Sequence, residues 1–129
     1  VVLVDTSVWI EVFRSRGLLT HLVDVDDVVT CPVVIQEVLQ GFRYDRYLHG
    51  ARQTFLAMPI LEAPMELEVF EEAAELYRMV RSAGYTVRSS ADCLIAVCAM
   101  RAGARLLHSD RDFDLIARVT TLDAQSILM

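Results

Sequence analysis

Ser89-Ser-Ala-Asp92-Cys-Leu-Ile-Ala-Val-Cys-Ala-Met-Arg-Ala-Gly103-Ala-Arg-Leu-Leu-His108-Ser-Asp110 carries the reading of the fold. Ser89 or Ser90 can cap a helix that runs to about Ala102. That helix is apolar nearly all round, so it belongs in the centre of a domain. Gly103 stops it, since glycine takes the left-handed conformation without strain. Arg105–His108 then reads as a short strand, with Asp110 just past its end. A buried helix feeding a short apolar strand is the repeating unit of an α/β domain.

The same alternation extends outward in both directions. Val1–Val4 is a β-branched run, read as a first buried strand that meets charge at once at Asp5. This start reads as a strand lacking only an initiator Met, not as a secretory leader. Thr6 or Ser7 can cap a helix through about Arg14, with Trp9 and Phe13 one turn apart as core or interface residues. Leu18–Val25 suggests a short helix and Val28–Val29 a strand. Thr30 can cap a helix with Pro32 in its first turn, ending near Gly41. Arg46–Ala57 looks helical, and Ile60–Leu61 is a weak strand. Met65–Arg81 is the clearest amphipathic helix, with Leu67, Phe70, Ala74, Tyr77 and Val80 as its apolar stripe. Phe113–Arg118 suggests a short helix and Val119–Leu122 a last strand. Gly17, Gly41, Gly84 and Gly103 each follow an expected helix and are expected to close it. The expected fold is α/β, an open, mostly parallel sheet with helices on both faces. Ligands of such sheets bind beyond the carboxyl ends of the strands.

The 129 residues correspond to one domain, 1–129, and 54% of them are hydrophobic. A chain of this size buries roughly two-thirds of its unfolded surface, so it needs no disulfide or structural metal. No unbroken apolar run, that through Leu94–Met100 included, is long enough to span a membrane. Cys31, Cys93 and Cys98 are odd in number and lack CxxC spacing, which fits buried thiols and a cytoplasmic location. His21, His49 and His108 are scattered without the spacing of zinc ligands.

All 12 basic residues are arginine, against 18 acids, for a net charge of −6. A protein that binds nucleic acid through a broad basic surface should be positive. The acids fall instead at informative places. Asp5 follows the first strand; Asp110 follows the later one, with Asp112 and Asp114 close behind. Asp92 lies in the first turn of the buried helix, and Glu37 lies mid-helix among apolar residues. Buried, unpaired acids are rare, so several at such positions imply a shared counter-charge. Mg²⁺ or Mn²⁺ supplies one, since both take carboxylate oxygens. Setting aside Asp5, Glu37, Asp92, Asp110, Asp112 and Asp114 leaves 12 acids against 12 arginines. Five of these acids also have a plainer role: Asp5 as a cap, Asp92 as a dipole partner, Glu37 facing water, and Asp112 and Asp114 in a turn.

These segments resemble PIN-domain proteins, specifically the VapC toxins of bacterial toxin–antitoxin pairs. The similarity lies in Val4-Asp5-Thr-Ser-Val-Trp-Ile10, Pro32-Val-Val-Ile-Gln-Glu37-Val-Leu-Gln-Gly41, Thr86-Val-Arg88-Ser-Ser-Ala-Asp92-Cys-Leu-Ile-Ala96 and Leu106-Leu-His-Ser-Asp110-Arg-Asp112-Phe-Asp114-Leu-Ile-Ala117. It covers essentially the whole chain in order. The resemblance implies a PIN-like fold and a homodimer, forming a heterotetramer or larger with a cognate VapB-type antitoxin. It implies an endoribonuclease, dependent on Mg²⁺ or Mn²⁺, that cuts structured RNA and inhibits translation. The family's acidic positions map onto Asp5, Glu37, Asp92 and Asp110; Asp112 and Asp114 are extra acids beside them, with Asp112 taken as a candidate further metal ligand. Where the family often has Thr two residues before the last acid, this chain has His108.

The chemistry of the residues agrees. Phosphodiester hydrolysis needs an activated water and stabilised oxygens, which divalent ions supply. Metal reverses the sign of an acidic site, so a negative chain can still take RNA. Arg14, Arg16, Arg43, Arg46, Arg88 and Arg111 lie near expected element ends and could contact phosphates. A receiver domain, a haloacid-dehalogenase-like phosphatase and a P-loop enzyme each need a lysine that this chain lacks. A non-catalytic PIN-like module acting through protein or RNA contacts is the alternative, and retained acids argue against it.

Overall fold

The computed structural model describes residues 1–15 and 17–127. Its strands are β1 (Val2–Val4), β2 (Val28–Val29), β3 (Arg105–His108) and β4 (Ala124–Ser126). All pair in parallel, in the order β2-β1-β3-β4. Leu3 and Val4 on β1, and Leu106 and Leu107 on β3, are fully buried. Successive strand residues point to opposite faces, so both faces of the sheet centre are covered. The expected open parallel sheet with helices on both faces is what forms.

The helices are α1 (Thr6–Arg14), α2 (Leu18–Leu22), α3 (Pro32–Leu39), α4 (Asp45–Leu56), α5 (Leu67–Ser82), α6 (Ser90–Ala102) and α7 (Arg111–Val119). Helices α5, α6 and α7 pack against one another, while α3 packs against α1, α4 and α6. Helix α6 buries Cys93, Ile95, Ala96, Val97, Cys98 and Ala99, as its composition requires. Gly103 ends it at φ +62°. Gly41, expected to act alike, does not enter the left-handed region, and Gly50 lies inside α4. The three cysteines are buried thiols. No helix among the described residues is long and apolar enough to cross a membrane.

Several expectations are corrected. The cap of α1 is Asp5, whose carboxylate accepts the Ser7 N–H, so Thr6 and Ser7 belong to the first turn. The cap of α3 is Cys31 rather than Thr30, and α2 stops at Leu22. Ile60 forms only a single bridge to Thr30. The last strand is Ala124–Ser126, because Val119 finishes α7. The apolar stripe of α5 is displaced: Val69, Ala73, Leu76 and Val80 are buried, while Leu67 and Phe70 are exposed. Ala74 and Tyr77 share with Phe70 an apolar cleft toward Leu94 of α6.

The displaced stripe makes a contrast that denaturant unfolding can measure. Leu76→Ala should cost about 2–5 kcal/mol, as buried leucines do. Leu67→Ala should stay within about 0.5 kcal/mol. The reverse ranking would restore the stripe expected from the sequence.

Candidate active site

Strand β1 is flanked by β2 on one side and β3 on the other, both parallel to it, so the connections leave β1 toward opposite edges of the sheet. A crevice opens at that switch point, beyond the strand ends. Asp5 leaves β1 there and Asp110 follows β3. The Asp5 N–H donates to the Leu107 carbonyl (2.9 Å), tying the two exits together. Each acid caps the helix it begins. Asp5 Oδ2 accepts the Ser7 N–H (3.0 Å) and hydroxyl, and Asp110 Oδ1 accepts the Asp112 N–H (3.0 Å). The Ser7 hydroxyl also accepts the Ser109 N–H (3.0 Å), so one small side chain spans both strand ends. Asp92 enters from the first turn of α6. Glu37 enters from α3, where Thr6 donates its hydroxyl to Oε1 (2.8 Å).

These groups line one open cleft of about 420 Å³, with Asp5, Glu37, Asp92, Asp110 and Asp112 on its walls. One oxygen each from Asp92, Asp110 and Asp112 lie within 4.8 Å of one another. Asp92 Oδ2 is buried with no hydrogen-bond partner. Burial, then the charges of Asp110, Asp5, Asp112 and Glu37, push the Asp92 carboxyl up to about 8. Burial also raises Asp5, and the hydrogen bonds from Ser7 oppose that rise. A hard divalent cation fits this donor set. It takes carboxylate oxygens, and it would satisfy both the orphaned Asp92 oxygen and the like-charge repulsion.

Arg88 is the one cation on the cleft wall among the described residues. Its Nη2 donates to Asp110 Oδ1 (3.1 Å), and its Nε (3.2 Å) and backbone N–H (3.0 Å) donate to Asp112 Oδ2.

The structure therefore gathers Asp5, Glu37, Asp92, Asp110 and Asp112. Asp5 and Asp110 are caps and cleft residues at once, and Asp112, set in a turn by its sequence position, is buried in the cluster. Asp114 does not join them; it is exposed beside the buried His108, with Oδ1 3.3 Å from Nε2. Arg14 pairs with Glu11 (3.4 Å) and borders a groove that shares Ile10 and Glu37 with the cleft. Arg43 and Arg111 are exposed and do not line the cleft, and Arg46 stacks over Tyr47 (4.7 Å). Arg16 lies outside the described residues. Thr6 and Ser7 emerge as the groups that fix Glu37 and Asp5. In the sequence both look like helix caps, and their position directly after Asp5 is the signal of this second role.

A family model for the PIN domain matches residues 2–119. The chain belongs to the PIN-domain family. It is 38% identical to a VapC ribonuclease of Mycobacterium bovis over 97% of this chain and 98% of that protein. The same figures hold for ribonuclease VapC11 of Mycobacterium tuberculosis. Among solved structures, it resembles VapBC2 from Rickettsia felis bound to a promoter DNA fragment, with a TM-score of 0.76 at 16% identity over 97% of both chains. It also resembles VapBC-1 from nontypeable Haemophilus influenzae, with a TM-score of 0.74 at 16% identity over 97% of this chain and 96% of that one. At such identity these structures speak for the fold alone. The PIN fold accounts for the meeting of the acids at the strand ends.

The Asp92 shift fixes a sign for stability against pH. A folded-state value near 8 lies above the unfolded 3.8, so without metal the folded PIN domain retains a proton that the unfolded chain releases. Stability should therefore fall as pH rises from about 4 through 8. Asp92→Asn should flatten that fall by at least about 1 kcal/mol, a discounted figure since water reaches the cleft, or about 4 °C in Tm. Calorimetry in EDTA at pH 5.5 and 8.5 checks it; parallel profiles for parent and variant would remove Asp92 from the cluster.

Proposed function

We propose that this PIN-domain chain is the toxin of a type II toxin–antitoxin pair, a divalent-metal-dependent endoribonuclease acting as one domain over residues 1–129. Its substrate is structured RNA, tRNA or rRNA, and its cleavage inhibits translation in the cytoplasm. The kinship to VapC ribonucleases supports ribonuclease chemistry. The observation that carries the metal dependence is an unpartnered, buried oxygen on Asp92, a residue whose carboxylate clusters with those of Asp110 and Asp112.

Asp92, Asp110 and Asp112 would hold Mg²⁺ or Mn²⁺, with Asp5 and Glu37 completing the acidic walls. When bound, the ion supplies Lewis-acid activation of water and charge neutralisation at the phosphate. The chain's own groups do the rest. Thr6 fixes one Glu37 oxygen, leaving the other to orient the attacking water and take its proton. Ser7 holds Asp5 against rotation. Arg14, Arg43, Arg88 and Arg111 meet backbone phosphates around the cleft.

The partner is a cognate VapB-type antitoxin, and the toxin is a homodimer within a heterotetramer or larger. The toxin–antitoxin complexes among the structural neighbours support that partner. An arginine-bearing antitoxin segment suits the acidic cleft, since guanidinium matches carboxylates in a bidentate fork. The adjoining groove of Ile10, Phe13 and Phe42 offers apolar contact for the same segment.

Purified, antitoxin-free protein should cut cellular RNA in Mg²⁺ or Mn²⁺ and stop in EDTA. Asp92→Asn should lower the rate at least about 100-fold through loss of a metal-holding charge. In EDTA the variant should melt no lower than the parent, and it should gain less from Mn²⁺. Undiminished cleavage in EDTA would refute the metal dependence.

A further inference from the structure

Arg88 reaches two of the three carboxylates that the proposed metal needs. Its guanidinium bridges them, Nη2 to Asp110 Oδ1 and Nε to Asp112 Oδ2. This is not an ordinary surface pair. Asp112 is almost fully buried, with 3% of its side chain exposed, whereas 62% of the Arg88 side chain is exposed. A fixed anionic floor is thus covered by a cation on a free arm. The backbone N–H of Arg88 donates separately to Asp112 Oδ2 (3.0 Å), so the orientation of Asp112 does not depend on the side chain. Asp110 Oδ1 is held besides by the Asp112 N–H (3.0 Å). The carboxylates would stay in place if the guanidinium left.

Resting on the metal-nuclease reading above, we infer that Arg88 is a tethered stand-in for the metal ion, competing with it for Asp110 and Asp112. Without metal, the guanidinium neutralises part of a cluster that otherwise repels itself. With metal, a single positive charge must either move away or face a double one, so the tether weakens ion binding. Released, the arm needs only a rotamer change to stand at the mouth of the cleft. There its planar fork suits the phosphate of a bound RNA. Arg88 is therefore a positioning and exchange residue: one cation serves carboxylates in the empty cleft and phosphate in the loaded one.

The test uses the full, antitoxin-free chain with Mn²⁺ alone as the titrant, followed by calorimetry. Arg88→Gln should bind Mn²⁺ about tenfold more tightly than the parent, an order-of-magnitude Coulomb expectation for unit and double charges separated by water. It should also melt lower in EDTA. Arg88→Lys keeps the charge and loses the fork, so its affinity should lie between those two. Should Arg88→Gln not fold, Arg88→Lys decides alone: tighter binding than the parent supports exchange, and equal or weaker binding overturns it. Unchanged or weaker Mn²⁺ binding by Arg88→Gln, with the parent binding normally, overturns the role of Arg88 and leaves the nuclease reading intact. A parent chain that binds no Mn²⁺ removes the metal reading and this inference with it.

Discussion

Carboxylates crowded at the carboxyl edge of β1 and β3 are the constraint to which the rest of the molecule answers. Like charges brought together in a partly dry cleft repel, and the fold opposes this with backbone dipoles. Three helices begin at the cleft: α1 at Asp5, α6 two residues before Asp92 and α7 at Asp110. Each turns the positive end of its dipole toward the acids, and the first-turn N–H groups of Ser7 and Asp112 donate to Asp5 and Asp110. Ser7 and Thr6 add hydroxyl donors, and Arg88, the one cation on the cleft wall among the described residues, adds a full positive charge. Asp92 is left over, buried among the others with an oxygen that nothing satisfies. That residual imbalance is the physical reason to expect a cation there.

The packing serves the same end. Helix α6 can aim Asp92 into the cleft only because the remainder of that helix is greasy enough to be held on several sides. Cys93, Ile95, Ala96 and Cys98 anchor it. On the other wall, Val34 and Val38 bury one face of α3, so that Glu37 between them is left facing the cleft. Core and site are two readouts of the same helical spacing.

Much of this was legible in the sequence. Strand β3 emerged at its observed bounds, since Arg105–His108 is bracketed by Gly103 and Asp110. The acids of the cleft were legible because ionisable groups at strand ends and within apolar runs are conspicuous. The phase of α5 was not. Leu67, Phe70, Ala74 and Tyr77 have helical spacing as good as that of Val69, Ala73 and Leu76, and only the neighbouring helices decide which set is covered. Strand β4 was missed because Ala124-Gln-Ser carries no apolar signal; it is an edge strand defined by hydrogen bonds to β3. For Arg88, the sequence shows an arginine near a site but not that its arm reaches Asp110 and Asp112.

The bridge from Ser7 to Ser109 joins residues 102 positions apart. Strand β1 waits for β3, which is synthesised long after it. Until Arg105–His108 has cleared the ribosomal tunnel and paired, Asp5 has no Asp110 to meet. A growing chain thus holds its acids apart on separate, unjoined pieces. The order of translation itself keeps the cleft from existing before β3 and the residues just after it have been made.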